Sequence, residues 1–197
     1  MKFVRKSLPA LVVGVLLVAG FGFGASSAFS RSAATGNPVD RAFAEEMIAH
    51  HQMAVQMAKI AQRRGRSAFV KQLADDIVRT QTREIATMRA ADQRLRSAGV
   101  KKGSLGVPEH KMGMNGDVAS LTTAKPFDRA FLRMMIPHHQ GAIVMAKAEL
   151  RKGKDPELRT LAQNIITAQQ REIRQMRTQL KSTGASSMPE ASMHGGH

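Results

Sequence analysis

Residues 40–59 read Asp-Arg-Ala-Phe-Ala-Glu-Glu-Met-Ile-Ala-His-His-Gln-Met-Ala-Val-Gln-Met-Ala-Lys, and residues 128–147 read Asp-Arg-Ala-Phe-Leu-Arg-Met-Met-Ile-Pro-His-His-Gln-Gly-Ala-Ile-Val-Met-Ala-Lys. The second stretch repeats the first at an offset of 88 residues. The offset holds downstream without a gap: Leu73, Ile77, Gln81, Glu84, Ile85 and Met88 return as Leu161, Ile165, Gln169, Glu172, Ile173 and Met176. Residues 40–89 and 128–177 share 24 identities in 50 positions. Such a duplication sets the architecture before any local reading does. Apolar residues alone could be repeated to fill a core. Four histidines, two glutamines and two glutamates repeated with them need a further reason.

Helical periodicity runs through both copies. Phe43, Met47, His50, Ala54, Met57 and Ala61 follow one another in alternating steps of four and three, which draws an apolar stripe along one helix face. The pattern predicts helices over about 40–64, 68–97, 128–152 and 155–182, with Asp40 and Asp128 as N-caps and Asp155-Pro156 opening the last. Gly65-Arg66-Ser67 is a tight break within the first pair. Strand signals are absent. Two tandem helical hairpins, 40–97 and 128–182, each amphipathic on one face, bury their stripes best as an all-α four-helix bundle with a pseudo-two-fold axis between the hairpins. Pro137 stands inside the third helix, where it removes one backbone hydrogen bond and is expected to bend the chain. Residues 29–39, the linker 98–127 and the tail 183–197 are rich in Gly, Ser and polar residues and are expected to be disordered.

The N-terminus has the composition of an export signal. Lys2, Arg5 and Lys6 precede an apolar and glycine run from Leu8 to Gly24, and small residues Ala25 to Ala28 follow. Residues 1–28 are therefore expected to be a signal peptide. The run is short for a bilayer span of about 20 residues, and an uncleaved anchor is the alternative. Without residues 1–28 the chain holds 27 Lys and Arg against 15 Asp and Glu. This basic balance suits an anionic cell envelope. It argues poorly for nucleic acid, because no Trp or Tyr is present to stack bases and the cations are scattered along helices.

Antiparallel hairpins bring the repeated polar residues to one level. His50 precedes the first turn by as many residues as separate that turn from the region of Gln81 and Glu84, and His138 stands in the same relation to Gln169 and Glu172. His51 and His139 lie one helical turn from Met47 and Met135. The layer could be structural, with imidazoles hydrogen-bonded to Glu or Gln and every group satisfied. It could equally hold a metal. His nitrogen and Met sulfur, in a chain with no cysteine, favour copper and especially Cu(I), with Glu84 and Glu172, or Gln81 and Gln169, orienting the rings from outside. Di-iron bundles place a Glu-x-x-His pair on each of two helices, whereas here Glu84 leads to Thr87 and Glu172 to Gln175. No zinc-hydrolase motif, catalytic triad or phosphate loop stands out, so no enzymatic activity is expected. Accessory ligands are expected from His110, Met112 and Met114 in the linker and from Met188, Met193, His194 and His197 in the tail.

The pattern Asp-x-x-Phe-Leu-x-x-Met-Ile-Pro-His-His-x-x-Ala-Ile-x-Met-Ala from Asp128 to Ala146 closely resembles the DUF305 family, and the resemblance covers about residues 40–180. It implies an exported protein with a ferritin-like helical bundle and, as in some members, copper binding. The ligand set it implies is Met47, His50, His51 and Met57 with Met135, His138, His139 and Met145. The expected function is copper storage, buffering or delivery, in partnership with a metallochaperone or membrane copper transporter, and with homo-oligomerisation open. The alternatives are a metal-free bundle that binds an envelope polyanion or a protein, and a copper-dependent redox enzyme.

Overall fold

A computed structural model describes residues 35–185. The proposed signal segment and the tail ligands Met188, Met193, His194 and His197 lie outside the described residues. Four long helices account for most of the described residues: α1 (Pro38–Arg64), α2 (Ala68–Ser97), α3 (Phe127–Lys152) and α4 (Pro156–Ala185). Each pair is an antiparallel hairpin. Arg41 near the start of α1 donates to Asp92 near the end of α2, and Gln62 near the end of α1 donates to Asp75 near the start of α2. The hairpins meet mainly through α1 and α3. None of the described helices is long and apolar enough to cross a membrane.

The expected stripes form the core. Phe43, Met47, Met57, Ile77, Met88 and Leu95 of the first copy and Phe131, Met135, Met145 and Met176 of the second are fully or almost fully buried. Each such side chain contributes about 1.5–3 kcal/mol relative to exposure. α3 runs through Pro137 as one helix.

Three expectations are corrected. Asp40 is not the N-cap of α1. Asn37 is, and its side chain accepts from the N–H of Val39 and Asp40 while Asp40 accepts in return from the Asn37 N–H. Residues 37–39 are thus part of a capping box rather than disordered. Nor does Asp128 cap α3, whose N-cap position is Pro126. Both aspartates instead reach across the pseudo-two-fold. Asp40 accepts from the backbone N–H of Lys154 and Asp155 in the second turn, and Asp128 from those of Arg66 and Ser67 in the first. Each hairpin thereby ties down the other's turn, which is the physical reason the pair is repeated.

The third correction concerns the linker 98–127. It lacks a long helix, but it is ordered against the bundle. Leu105 and Leu121 are buried, and short 3-10 turns occupy Glu109–Lys111 and Val118–Thr122. Arg64 donates to the Leu121 and Ala124 carbonyls, and Gly103 N–H to Pro38 O at 2.8 Å. A few apolar residues spaced through a polar segment were enough to anchor it.

Glu149 breaks the repeat, since its counterpart is Ala61. It is fully buried with its carboxyl against that of Asp40. Burial first, then this carboxyl neighbour, pushes its pKa up to about 9. The folded chain therefore holds a proton on Glu149 that the unfolded chain releases near the ordinary carboxyl value of 4.5. Stability from this group is present below that value and is lost as pH rises towards 9. Glu149→Gln keeps the shape without the titration. Its melting temperature, relative to the parent protein, is expected to climb steadily between pH 5 and pH 9. A gap that stays constant with pH would show that Glu149 does not titrate in this window.

Candidate metal centre

α1 and α3 bring the two histidine pairs together in the interior. The His50 and His138 rings stand 3.7 Å apart between centroids, with planes inclined by 40°. His51 and His139 flank them, at 6.2 Å from His50 and 6.3 Å from His138. All four residues are buried. The sequence places polar groups of all four helices at one level, and the contacts bear this out: His51 Nε2 meets Glu84 Oε2 at 2.8 Å, and His139 Nε2 meets Glu172 Oε2 at 2.7 Å. The hairpin register pairs the second histidine of each doublet with the glutamate. The first histidine of each doublet faces the other hairpin.

These partners decide the tautomers. Carboxylate and carbonyl oxygens accept, so the nitrogen facing them carries the hydrogen. His51 and His139 donate from Nε2 to the glutamates, and His50 donates from Nε2 to the Met112 carbonyl at 2.9 Å. Where the ring is neutral, its lone pair then resides on Nδ1. None of these three Nδ1 atoms has a hydrogen-bond partner, and neither nitrogen of His138 makes a direct hydrogen bond, although the His50 backbone lies near enough to that ring to offset a little of the effect of burial. Oε1 of Gln81 and of Gln169, both buried one turn before the glutamates, is also unpartnered. Each unsatisfied buried group costs about 1–3 kcal/mol. A layer held together by direct side-chain hydrogen bonds would pair these atoms with one another, and this one leaves them unpartnered.

Electrostatics keeps the lone pairs free. Burial, followed by the neighbouring His51 imidazole, lowers the His50 pKa to about 3, and burial with the His50 ring holds His138 well below the ordinary histidine value. Both rings are therefore neutral at pH 7, the state in which an imidazole can bind a metal.

The remaining candidates separate by position. Met47 and Met135 are fully buried, one turn before the imidazoles on the same helices. Met57 and Met145 are also buried, but seven residues beyond His50 and His138, roughly 10 Å along the helix at 1.5 Å per residue. His110 is exposed on the first 3-10 turn, and Met112 and Met114 are half-buried. Among the described residues no three His, Cys, Asp or Glu side chains converge as a set able to hold one ion. An ion here would thus be held by no more than two of the four imidazoles at a time, with thioether help, a donor set suited to Cu(I).

Sequence reasoning missed how the linker closes the site. A Cβ on Gly141 would stand 1.8 Å from the Met112 carbonyl oxygen, and one on Gly113, whose φ is +71°, would stand 2.4 Å from the Pro137 carbonyl oxygen. The two glycines let the linker backbone lie directly on α3 beside His138. A Cβ on Gly116 would stand 3.2 Å from Met134 Sδ and 3.3 Å from Met53 Cε, so these two half-buried methionines approach one another beneath the linker. The signal was the replacement of Met53 by Gly141 between the copies, beside a Met-Gly-Met sequence at 112–114.

The fold and this centre define a class: a tandem-hairpin four-helix bundle with a buried imidazole layer. Residues 40–180 match the family model described as a domain of unknown function, DUF305, and the chain belongs to that family. It is similar to CopM in its Cu(I)-bound form, with 35% identity and a TM-score of 0.61 over 73% of this chain and 96% of that one. The Cu(II)-bound form of CopM matches over the same shares with a TM-score of 0.63. A DUF305 fragment from Deinococcus radiodurans matches at 36% identity and a TM-score of 0.61, over 75% of this chain and 99% of the fragment. An uncharacterized protein, L153, of Acanthamoeba polyphaga mimivirus is 47% identical over 49 residues. That match spans 25% of this chain and 32% of that curated relative.

Proposed function

We propose that this protein binds copper, chiefly as Cu(I), to store, buffer or deliver it outside the cytoplasm, without catalytic turnover. The observation that carries the reading is the set of buried imidazoles whose Nδ1 lone pairs have no hydrogen-bond partner while their other nitrogens are, in three of four cases, committed. His50 and His138 are the central ligands, and Met47 and Met135 supply sulfur. Glu84 and Glu172 hold His51 and His139 in the ligating tautomer. The Cu(I)- and silver-bound forms of CopM support the choice of a soft ion. The extracytoplasmic setting rests on the basic, apolar and small-residue succession at the N-terminus. A metallochaperone or a membrane copper transporter is the fitting exchange partner.

Anaerobic titration against a colorimetric Cu(I) chelator tests the reading. The protein is expected to withdraw Cu(I) from the chelator, and failure to compete at any ratio would end the proposal. In the same assay Glu84→Gln with Glu172→Gln is expected to weaken binding about 10–100-fold, the usual effect of losing the carboxylates behind ligating imidazoles. Unchanged affinity would remove the two glutamates from the site.

A further inference from the structure

Away from the histidine layer, the α1–α2 turn, the start of α3 and the end of α4 enclose a cavity of about 890 Å³. This volume lies within the range of about 300–1,000 Å³ typical of small-molecule sites. Five cations line it: Arg63, Arg64, Arg66, Lys125 and Arg129. Its apolar wall is Pro126, Phe127 and Leu132. Asp128 is the single acid in the lining, and its carboxylate is already taken by the backbone N–H of Arg66 and Ser67.

Unpaired cations are expected on a chain with a formal charge of +15. What sets these apart is their convergence on one cavity without acidic partners. Among the described residues the arginines and lysine in ion pairs are Arg41, Arg79, Arg94, Arg96 and Lys102, none of which lines the cavity. The repeat sharpens the contrast. Arg129 is the counterpart of Arg41, which pairs with Glu45 at 2.7 Å and Asp92 at 2.8 Å. The positions corresponding to Glu45 and Asp92 in the second copy are Arg133 and Leu180. The second copy thus keeps the arginine and replaces both of its acids. The neighbouring Phe127 takes the place of Val39, and Arg64 lies 5.0 Å over its ring while donating to the Leu121 and Ala124 carbonyls. One guanidinium is therefore held in place before any ligand arrives.

We infer that this cavity binds an amphiphilic anion, a carboxylate or phosphate head carried on an apolar body. The head faces the unpaired cations, whose bidentate guanidinium geometry suits either group. The body lies against Phe127, Leu132 and Pro126. A free fatty acid and the headgroup region of an anionic lipid share this chemistry. The site does not depend on the metal reading.

The test uses the full chain with 1-anilinonaphthalene-8-sulfonate, an anionic aromatic probe that fluoresces on burial; the chain has no Trp or Tyr to interfere. Saturable binding that weakens with salt is expected, as is displacement by laurate below its micelle concentration. Arg63→Glu with Arg129→Glu is expected to weaken probe binding at least tenfold at an unchanged melting temperature. Arg83→Glu with Arg89→Glu, an equal charge change at exposed α2 positions, is expected to leave it intact. Cosedimentation with phosphatidylglycerol vesicles, lost only in the cavity variant, identifies a membrane lipid as the source. Displacement by laurate without cosedimentation identifies a free amphiphile. The inference is overturned if the two double variants behave alike, if no saturable binding occurs, or if dodecanol or inorganic phosphate displaces the probe as well as laurate does.

Discussion

Replacing His50 and His138 together by leucine is expected to stabilise the metal-free protein while removing most of its Cu(I) affinity. The two rings are buried, neutral and 3.7 Å apart, and three of their four nitrogens have no hydrogen-bond partner. Leucine is close to histidine in bulk and brings no polar atom into the core. Relieving three unsatisfied nitrogens worth about 1–3 kcal/mol each outweighs leaving the one Met112 carbonyl unpaired at a similar cost, so a net gain of about 2 kcal/mol or more is expected. In a domain of this size that is a rise of at least about 4 °C in melting temperature. Cu(I) affinity, by contrast, should fall more than the roughly 100-fold that loss of an outer carboxylate costs, because the ligands themselves are gone. A layer kept for its hydrogen bonds predicts the reverse pair of results. Thermal melts in the presence of a chelator, set beside competition titrations, separate the two. A destabilised variant that still binds Cu(I) like the parent would exclude the central imidazole pair.

Gly141→Ala should be among the most damaging single substitutions outside the apolar core. The new Cβ would stand 1.8 Å from the Met112 carbonyl oxygen and 2.1 Å from its carbon. Both are backbone atoms and cannot rotate aside, so the linker must lift away from α3. Overpacking of this kind costs about 1–3 kcal/mol, and the freed Nε2–H of His50 adds its own penalty of about 1 kcal/mol or more. A fall in melting temperature of about 5–15 °C is expected, with faster proteolytic cleavage within 98–127. Gly99→Ala is the control. Gly99 has φ +81° but nothing within 4 Å of its Cβ position, so only the modest backbone strain of about 1 kcal/mol applies. Equal melting temperatures for the two variants would show that the linker does not bear on the histidine layer.

Both predictions turn on residues that are conspicuous in the sequence for different reasons. The His-His doublets announce themselves by repetition, and counting residues around each turn was enough to bring glutamate opposite histidine. Counting could not say which histidine of a doublet meets the glutamate. That depends on the rotation of each helix about its axis, which the packing of α1 on α3 sets. Gly141 stood out only as a break in the repeat. Its purpose is a close approach by a segment some thirty residues earlier in the chain, and composition made that segment look disordered.

The aspartates teach the same lesson from the other side. At the head of a helical pattern, Asp40 and Asp128 fit a local rule for caps. Their bonds run to turns more than 60 residues away, because local capping at α1 already falls to Asn37 and the turn amides of the opposite hairpin have no other acceptor. Glu149 and the unpaired Arg129 are legible only as departures from the repeat, and their surroundings had to be seen before either meant anything.

By itself the sequence determined four helices, their pairing into two related hairpins, the stripes that face inward and the level at which the polar residues meet. These follow from periodicity and chain connectivity, which are short-range and additive along the chain. Only the tertiary structure decided that His50 faces His138, that three rings keep a buried Nδ1 without a partner, that the linker closes over α3 and that one end of the bundle gathers unpaired cations. Those features depend on the direction of individual side chains and on contacts between segments far apart in sequence, where a single Cβ or a rotation of one helix decides which atoms meet.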